Sequence, residues 1–517
     1  MTNMKITLLA LFVISGTWAA DLRSNWKIGQ PVSTSSGHVI GGRASVGSEV
    51  SGYFGIPYAK PPVGNLRFAP PERFEGKETI NATSFGASCP ISSDFGPLAD
   101  ANYTNANFTT VGMFLVTVLN QTGDVFSEDC LTLNVWTKPQ VGEKKKAVMV
   151  WIVGGGWTTG TTNNVYGNDG EHIVDEEDVI VVSMKSYRLN IFGFPGIPDH
   201  PNNLALLDQR LAVEWIRDNI ASFGGDPSRI ILFGQSAGAE GVDFYSYAWT
   251  SDPIVKGLII QSGSTGLRAY PKEDSAAAWY NVTSTLGCGD SASNTSVVLE
   301  CMRRQTTEDI QKAIPLQVVP GGSAAFWPTI DETVVFSDYP ALAAEGKFIK
   351  VPLLIGNTDN EAGFFKAIGT ILGVHESEIF WDQFNLATFV CPSATRANAS
   401  ISARLPTWRY RYFGSFPNLQ IQSNPDSGAY HSSELSLLFS TIPPTGIPGI
   451  PPPTEDEFQW GKYIRGAWAT FAKDPERGLN RIGWPRWDPE KRTLIRLAYG
   501  NCTGPNEASP RMYDRCA

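Results

Sequence analysis

A serine between two glycines is the residue best suited to chemistry in this 517-residue chain. Ser236 lies in the run Gly234–Gly238, GQSAG, directly after the apolar stretch Ile230–Phe233. Such a stretch is typical of a buried strand, and the two glycines let the backbone turn without a Cβ clash. A serine at the apex of a strand-turn-helix elbow presents its hydroxyl as a nucleophile. The next N–H, that of Ala237, can then stabilise an oxyanion.

A nucleophilic serine needs a base, and at neutral pH a histidine serves that role. The chain has five histidines: His38, His172, His200, His375 and His431. In the α/β-hydrolase chain order the histidine comes last, after the serine and the acid. Three of the five precede the serine and His375 stands among polar residues, so chain order and elimination favour His431.

The third group must orient the histidine, and it should follow a later strand. The apolar run Val351–Ile355 leads into GNTDNEAGFF, in which Asp359 and Glu361 are both candidates. The chemistry of a carboxylate does not separate the two. We expect the other one only to cap the loop.

A run of three glycines could supply N–H donors for a developing negative charge. Gly154, Gly155 and Gly156 follow the apolar run Val150–Val153, and a backbone without side chains can approach a substrate oxygen closely. A phosphate cradle is the alternative. The P-loop lysine is absent and no Gly-x-Gly-x-x-Gly opens a helix here, so the oxyanion role is favoured.

These candidate residues all follow apolar runs, which indicates the elements that position them. Runs of strand length occupy residues 147–153, 179–184, 230–233, 257–261 and 351–355. Residues 204–223 carry apolar side chains at helical spacing. Buried strands that alternate with helices indicate parallel βαβ units. The sequence therefore predicts an α/β fold with a mostly parallel central sheet flanked by helices.

The remaining stretches are expected to surround this sheet. Residues 265–345 and 365–480 read as mainly helical and irregular, and we expect them to form the cap and walls of a pocket. The stretch 53–71 is rich in proline and glycine, so we expect an ordered surface loop there.

Composition excludes some classes of partner. Hydrophobic residues make up 42% of the chain and charged residues 18%, which are globular values. The net charge of −10 argues against nucleic acid as a partner. No run of about 18 apolar residues follows the N-terminal segment, so we expect a soluble mature protein without an integral membrane segment.

Residues 1–20 have the features of a secretory signal peptide. Lys5 precedes the apolar run Ile6–Ile14, and Thr17-Trp18-Ala19 offers small residues for cleavage after Ala19. We therefore expect the protein to be extracellular. Asn-x-Ser/Thr sites for glycosylation fit this route, at Asn81, Asn102, Asn107, Asn120, Asn281, Asn294, Asn398 and Asn501.

Seven motifs along the chain resemble those of one family. They are YFGIPYAKPPVGNLRF (53–68), SEDCLTLNVW (127–136), VWIVGGGW (150–157), LDQRLAVEWIRDNIASFGGDP (207–227), FGQSAGA (233–239), DNEAGFF (359–365) and YHSSE (430–434). In this order they resemble the type-B carboxylesterase/lipase family, which contains cholinesterases, carboxylesterases and fungal lipases. The resemblance runs from about Val39 to the C-terminus.

The resemblance implies a single α/β-hydrolase domain over residues 21–517, with helical cap insertions and no cofactor or metal. It implies hydrolysis of carboxylic esters by a Ser-Glu-His triad. Carried over position by position, the triad would be Ser236, Glu361 and His431, which favours Glu361 over Asp359 as the acid.

Oxyanion donors and disulfides follow from the same resemblance. The donors would be the N–H groups of Gly155, Gly156 and Ala237. The implied disulfide pairs are Cys89 with Cys130, Cys288 with Cys301, and Cys391 with Cys516 or Cys502. Spacing to the chain end favours Cys516, which leaves Cys502 as the odd thiol.

Departures from the family pattern indicate which esters fit. The Cys89–Cys130 loop contains no tryptophan, and Gln235 stands where cholinesterases carry a glutamate. Both changes remove groups that would recognise a cation, so choline esters are not expected as substrates. Small residues at 321–325, where cholinesterases carry bulky aromatics, predict room for a longer or bulkier acyl group.

The segment Val111–Leu119 has two interpretations, a helix packed on the core or an apolar lid over the pocket. The sequence thus predicts a secreted serine esterase acting on small-molecule or lipid esters. A lid-bearing triacylglycerol lipase is the alternative. An inactive binding or adhesion module is a further one, which the intact triad disfavours.

Overall fold

The computed structural model describes residues 26–91, 107–119, 121, 123–138, 145–160, 169–184, 186–265, 269–315, 326–443, 446–501 and 503–516. The predicted signal peptide, the small-residue run 321–325, the sequons at Asn102 and Asn120, and Cys502 lie outside these residues.

Within the described ranges, the strands form one large sheet and one small sheet. In chain order they are β1 (Val32–Thr34), β2 (Gly37–Ile40), β3 (Gly42–Arg43), β4 (Ser51–Pro57), β5 (Thr79–Asn81), β6 (Thr132–Thr137), β7 (Lys146–Ile152), β8 (Val179–Met184), β9 (Gly225–Gln235), β10 (Gly257–Gln261), β11 (Leu353–Thr358), β12 (Thr407–Tyr412), β13 (Leu494–Leu497) and β14 (Glu507–Ala508). Across the described residues the large sheet has the order β14-β13-β12-β11-β10-β9-β7-β8-β6-β4-β3.

The middle of the large sheet is parallel. Neighbouring strands from β13 through β12, β11, β10, β9 and β7 to β8 all pair in parallel. Only the margins are antiparallel, with β14 at one edge and β6, β4 and β3 at the other. The sheet is therefore mostly parallel, as the sequence predicts.

Helices cover the sheet and extend beyond it. Among the described residues the α-helices are α1 (Thr110–Leu119), α2 (Glu171–Glu176), α3 (Asn190–Gly193), α4 (Leu204–Asn219), α5 (Ala237–Ala248), α6 (Lys272–Thr285), α7 (Thr295–Arg304), α8 (Thr307–Ala313), α9 (Tyr339–Ala344), α10 (Ala362–Ile371), α11 (Glu378–Asn385), α12 (Cys391–Ser402), α13 (Leu435–Leu438), α14 (Glu455–Lys473) and α15 (Gly478–Arg481).

Side chains alternate along the central strands, so each strand contributes to two cores. Val148 and Val150 of β7 belong to a core that includes residues of α4 and α5. Met149 and Trp151 of the same strand belong to a second core that includes residues of α14. Because helices cover both faces of the sheet, its central strands are apolar throughout.

One central strand does not follow this apolar pattern. Strand β12, TWRYRY, lies between β11 and β13 within the stretch expected to be helical and irregular, so that expectation is wrong here. Its arginines are buried because each is paired: Arg409 with Asp514, and Arg411 with Asp359. A charge with an ion-pair partner can be buried where an unpaired one cannot.

The expectation of a surface loop over residues 53–71 is wrong for its first part. Strand β4 pairs with β6, and Tyr53 and Ile56 are fully buried. The register of the pairing shifts between these two residues, and Gly55 between them has a positive φ of 68°. A glycine bulge thus lets a glycine-rich segment pair as a strand.

Three disulfides lie within the described residues. The bonds link Cys89 with Cys130, Cys288 with Cys301, and Cys391 with Cys516. These are the pairs that the family resemblance implies, including Cys516 rather than Cys502 as the partner of Cys391. The last bond spans 125 residues of sequence and ties the chain end to α12.

Helix α1 covers the ambiguous segment Val111–Leu119. It packs beside a small satellite cluster, in which Leu115 and Phe364 surround Ile421 and Tyr430, while Met113 is 40% exposed. The segment is thus a helix, packed outside the two main cores. Within the described ranges, no helix is long and apolar enough to cross a membrane.

Candidate active site

Ser236 lies at a sharp turn between β9 and α5. We call Gly234–Gly238 the serine turn. Ser236 has φ 58° and ψ −130°, a strained conformation for a residue with a side chain. A Cβ on Gly234 would lie 2.5 Å from the carbonyl carbon of Gly238, and one on Gly238 would lie 2.1 Å from the Ile152 oxygen. Only glycine fits at both positions, so the sequence enforces the turn.

The candidate residues meet at one edge of the sheet. The glycine run follows β7, Ser236 follows β9, and Glu361 comes three residues after the end of β11. Because β7, β9 and β11 run parallel in the same sheet, their carboxyl ends lie at the same edge, where α/β folds bind ligands. His431 reaches this edge from the segment between β12 and α13, where Asn360 and Tyr430 form a bridge.

His431 and Glu361 form a buried hydrogen-bonded pair. His431 Nδ1 lies 2.5 Å from Glu361 Oε2, and the two side chains are 4% and 0% exposed. The other carboxylate oxygen, Oε1, accepts a hydrogen bond of 2.7 Å from the Thr358 N–H. A histidine that donates through Nδ1 keeps Nε2 unprotonated, as an acceptor.

Asp359, the other candidate acid, faces a different partner. Its Oδ1 accepts from Arg411 Nε at 2.8 Å, and its side chain is 38% exposed. The ion pair ties β12 to the end of β11. The structure therefore brings Glu361, and not Asp359, to His431.

Ser236 follows Gln235, whose side chain contacts this pair, and Ser236 itself makes no hydrogen bond to the pair among the described residues. Among the described residues, the partner of His431 Nε2 is the Gln235 side-chain nitrogen at 3.1 Å, and Ser236 Oγ makes no hydrogen bond. An amide N–H that donates to Nε2 agrees with the proton being on Nδ1. Catalytic hydrogen bonds are often long or unmade without substrate, so the arrangement is compatible with a triad.

The three glycines form a tight loop beside the serine turn. We call Gly154–Trp157 the glycine loop. A Cβ on Gly154 would lie 2.4 Å from the Gln235 oxygen, and Gly155 has φ 124°. Within the described part of the chain, the N–H groups of Gly155, Gly156 and Ala237 donate no hydrogen bond. They remain available to a ligand oxygen, and Ala237 adds the positive end of α5.

Gly155→Ala tests this loop. A Cβ at Gly155 would lie 2.2 Å from the Thr159 oxygen, so the loop must shift and carry its N–H groups away. We expect kcat for ester hydrolysis to fall about 100-fold, as for loss of one oxyanion donor. Gly42→Ala, in β3 at the edge of the sheet, is the control, because its Cβ would meet only Thr83 Cγ2 at 3.6 Å. Equal losses in the two variants would contradict the oxyanion role of Gly155.

A buried carboxyl joins the glycine loop to α5. Glu240, 5% exposed, accepts a hydrogen bond of 2.6 Å from Trp157 Nε1. Burial is the main cause that raises the pKa of Glu240 to about 8. The sequence interpretation missed this residue. The signal was a single charge in the small, apolar start of α5, AGAEGV.

A second buried carboxyl lies beneath the acid. Glu434 is fully buried and accepts from Gln261 Nε2 at 3.2 Å. Burial, then the negative charge of Glu361, raises the pKa of Glu434 to about 8. Below that pH Glu434 is neutral, so the charge of Glu361 faces no second carboxylate. Glu434 was visible only as the last letter of YHSSE.

Aromatic rings surround the imidazole. The ring centroids of Phe389, Phe365 and Phe364 lie 5.0, 5.2 and 6.1 Å from that of His431. Phe389 lies in the π-helical turn Leu386–Val390. This apolar wall limits water around the histidine and strengthens its hydrogen bond to Glu361. No cluster of three or more potential metal ligands occurs in the described ranges.

Comparisons with known proteins give the family of the chain. A model of the carboxylesterase family matches residues 29–386. The chain is 34% identical over 532 residues to a chlorogenic acid esterase of Aspergillus niger, covering 99% of this chain and 98% of that protein. It is 34% identical over 500 residues to secreted lipase 5 of Gibberella zeae, covering 90% of each.

A solved structure shows the same fold. A PNB esterase superposes with a TM-score of 0.73 at 28% identity, covering 91% of this chain and 96% of that one. The predicted α/β-hydrolase fold and the family resemblance are confirmed. The chain therefore belongs to the carboxylesterase family and is a carboxylic ester hydrolase.

Proposed function

We propose that the protein is a secreted esterase that cleaves carboxylic esters through an acyl-enzyme on Ser236. The observation that carries the proposal is the meeting of three parts at one sheet edge. These are the strained serine turn, the buried His431–Glu361 pair and the free N–H groups of the glycine loop. Together they supply a nucleophile, an oriented base and oxyanion donors.

In the proposed mechanism, His431 Nε2 takes the proton of Ser236 Oγ as that oxygen attacks the ester carbonyl carbon. The N–H groups of Gly155, Gly156 and Ala237 hold the carbonyl oxygen while it is negative. The intermediate collapses by breaking the bond to the alcohol oxygen, which takes the proton from Nε2. Water then repeats the sequence, releases the acid and restores Ser236.

Gln235 must give way during this reaction. Its amide nitrogen occupies His431 Nε2 at 3.1 Å in the structure. The lone pair on Nε2 accepts one strong hydrogen bond, so the Ser236 hydroxyl must replace the amide before proton transfer. The Gln235 backbone belongs to β9, so in the proposed mechanism its side chain is the part that rotates away from Nε2.

The same residue bears on the choice of substrate. Gln235 is neutral and is buried beside the histidine, so no carboxylate is available at this position for a quaternary ammonium group. We therefore propose esters without a cationic alcohol group, and not choline esters, as substrates. A chlorogenic acid esterase and a secreted lipase among the relatives are compatible with such esters.

A triacylglycerol lipase is the second candidate, and one observation favours it. Helix α1 packs beside Tyr430, the residue before His431, and outside the main cores, while its Met113 is 40% exposed. A helix so placed could act as an apolar lid over the site.

The disulfides and the exposed glycosylation sites support secretion. The three disulfides suit an oxidising compartment. The described sequon residues Asn81, Asn107, Asn281, Asn294 and Asn398 are exposed, as glycosylation requires. We propose that residues 1–20 direct secretion and that residues 21–517 form a single domain.

Hydrolysis of p-nitrophenyl esters from acetate to palmitate separates the two candidates. For an esterase we expect kcat/KM to peak at short acyl chains, because a confined pocket gains little from further methylenes. A peak at long chains, with a rise in rate above the solubility limit, would support the lipase. Absence of hydrolysis at every chain length would overturn both and favour a binding module.

A further inference from the structure

We propose that Glu240 is a positioning residue for the oxyanion hole. Its buried carboxyl holds the Trp157 indole and thereby fixes the N–H groups of Gly155 and Gly156 relative to Ser236. The inference rests on the proposed function, since it concerns how those donors are held.

The hydrogen bond between Trp157 and Glu240 joins the glycine loop, which carries two oxyanion donors, to α5, which follows the nucleophile. Trp157 directly follows the glycine donors, and its side chain is 1% exposed. Glu240 lies in the first turn of α5, where its N–H donates to the Ser236 oxygen at 3.0 Å. The 2.6 Å bond from Trp157 Nε1 to Glu240 Oε2 thus links the donors to the nucleophile helix across 83 residues of sequence.

The backbone of Trp157 needs such support. Its φ is 66°, in the left-handed region that a bulky side chain rarely adopts. Other contacts also hold the residue: its carbonyl oxygen accepts from the Asn190 N–H at 2.8 Å, and its ring packs against Phe194, Tyr187 and Phe244 at 5.3, 5.9 and 6.4 Å. Phe244 belongs to α5, and the indole bond adds a directed hydrogen bond to the same helix.

A buried carboxyl is a costly way to fill space, which argues for a specific role. Burial without a hydrogen bond would be unfavourable for either partner. An apolar side chain at this position would leave the indole N–H without its acceptor. Glutamine would keep the acceptor and remove the titration, so it isolates the positioning role from the charge.

The charge state of Glu240 gives a second readout. The titratable groups that act on it are Asp243, on the same helix, and Tyr187, on the segment between β8 and α3. Asp243 is itself paired with Arg396 of α12. Burial, with a smaller contribution from Asp243, raises the pKa of Glu240 to about 8, although the Trp157 hydrogen bond lowers it.

The sign of the pH effect follows from this raised pKa. Glu240 is neutral below about pH 8 and gains a negative charge as the pH rises above it. That charge would lie one helical turn from the developing oxyanion and oppose it. We therefore expect the activity of the native enzyme to decline at alkaline pH, and the decline to be absent in Glu240→Gln.

The experiment compares Glu240→Ala, Glu240→Gln and Trp157→Phe in the full-length enzyme. We expect Glu240→Ala and Trp157→Phe each to lower kcat about 10- to 100-fold with little change in KM, as small misplacement of donors does. Binding of a trifluoromethyl ketone, which forms an oxyanion on the serine, should weaken by the same factor. Glu240→Gln should restore kcat to within about threefold, and the double variant should be no worse than either single one.

The results that would overturn the role of Glu240 differ from those that would overturn the proposed function. Full kcat and inhibitor affinity in Glu240→Ala, beside an inactive Ser236→Ala, would overturn only the role of Glu240. Equal losses in Glu240→Ala and Glu240→Gln would do the same. If Glu240→Ala does not fold, Trp157→Phe removes the bond from its other side, and unchanged kcat there would overturn the inference. Activity in Ser236→Ala would overturn the proposed function itself.

Discussion

Replacing Ser236 with alanine will lower kcat for ester hydrolysis about 10⁵-fold while leaving the fold intact. The change removes the only oxygen that can attack from the serine turn, although the oxyanion donors and His431 remain. Stability should hardly change, because Ser236 Oγ makes no hydrogen bond within the described residues and alanine is smaller. Single-turnover assays with p-nitrophenyl butyrate and thermal unfolding of the same preparation measure both effects.

Ser262 offers a matched control. It follows β10 as Ser236 follows β9, and its φ of 53° resembles the 58° of Ser236. Its N–H donates to Gly356 across the sheet, as that of Ser236 does to Gln261. Its side chain is fully buried, however, so Ser262→Ala should keep kcat within about tenfold. Hydrolysis at the native rate by Ser236→Ala would remove the proposed mechanism.

Glu361→Gln should lower kcat about 10⁴-fold, which is the effect seen when the acid of such a triad becomes an amide. The structure gives the reason. Glu361 Oε1 accepts from the Thr358 N–H and Oε2 accepts from His431 Nδ1. In the glutamine, the oxygen must stay on Thr358, so the amide nitrogen faces Nδ1 and donates to it. The proton of His431 then lies on Nε2, which can no longer take the serine proton.

Asp359→Asn is the control for this substitution, since it makes the same chemical change two residues away. Asp359 is 38% exposed and paired with Arg411, so its loss should alter stability slightly and kcat by less than about tenfold. Measurement of kcat for both variants, with an unfolding curve for each, shows which carboxylate is the acid. A larger loss of kcat in Asp359→Asn than in Glu361→Gln would mean that Asp359 is the acid.

The change from glutamate to glutamine is expected to have different effects at Glu240 and at Glu361. At Glu361 the amide reverses the direction of a hydrogen bond, because both carboxylate oxygens are acceptors of N–H groups. At Glu240 the hydrogen bond comes from the indole N–H of Trp157 to Oε2, and a glutamine oxygen can still accept it. We therefore expect Glu361→Gln to lose activity, because its carboxylate accepts from two N–H groups, and Glu240→Gln to keep activity, because its carboxyl accepts from one.

The sequence predicted those elements whose pattern is local. Residues 179–184 and 257–261 are strands with the predicted bounds, because strands covered on both faces must be apolar throughout. The strand predicted at 351–355 starts two residues later, at Leu353, since Pro352 has no N–H to donate to the neighbouring strand. The serine turn was readable because its glycines are dictated by backbone geometry alone.

Elements and residues that depend on distant partners were not readable. Strand β12 is polar in sequence and is buried only because Asp514 and Asp359 neutralise its arginines. The residues of the chain alone left Asp359 and Glu361 as equal candidates for the acid. The folded chain separates them, since Arg411 engages one and His431 the other.

The sequence by itself therefore determined the apolar central strands, the serine turn and the glycine run, since each rests on a continuous stretch of residues. It also determined the family, which rests on seven such stretches. The tertiary structure alone decided which side chains meet, such as Trp157 with Glu240 and Gln235 with His431. A hydrogen bond depends on positions within a few tenths of an ångström. Such positions are fixed by packing across the whole fold and not by neighbours in sequence.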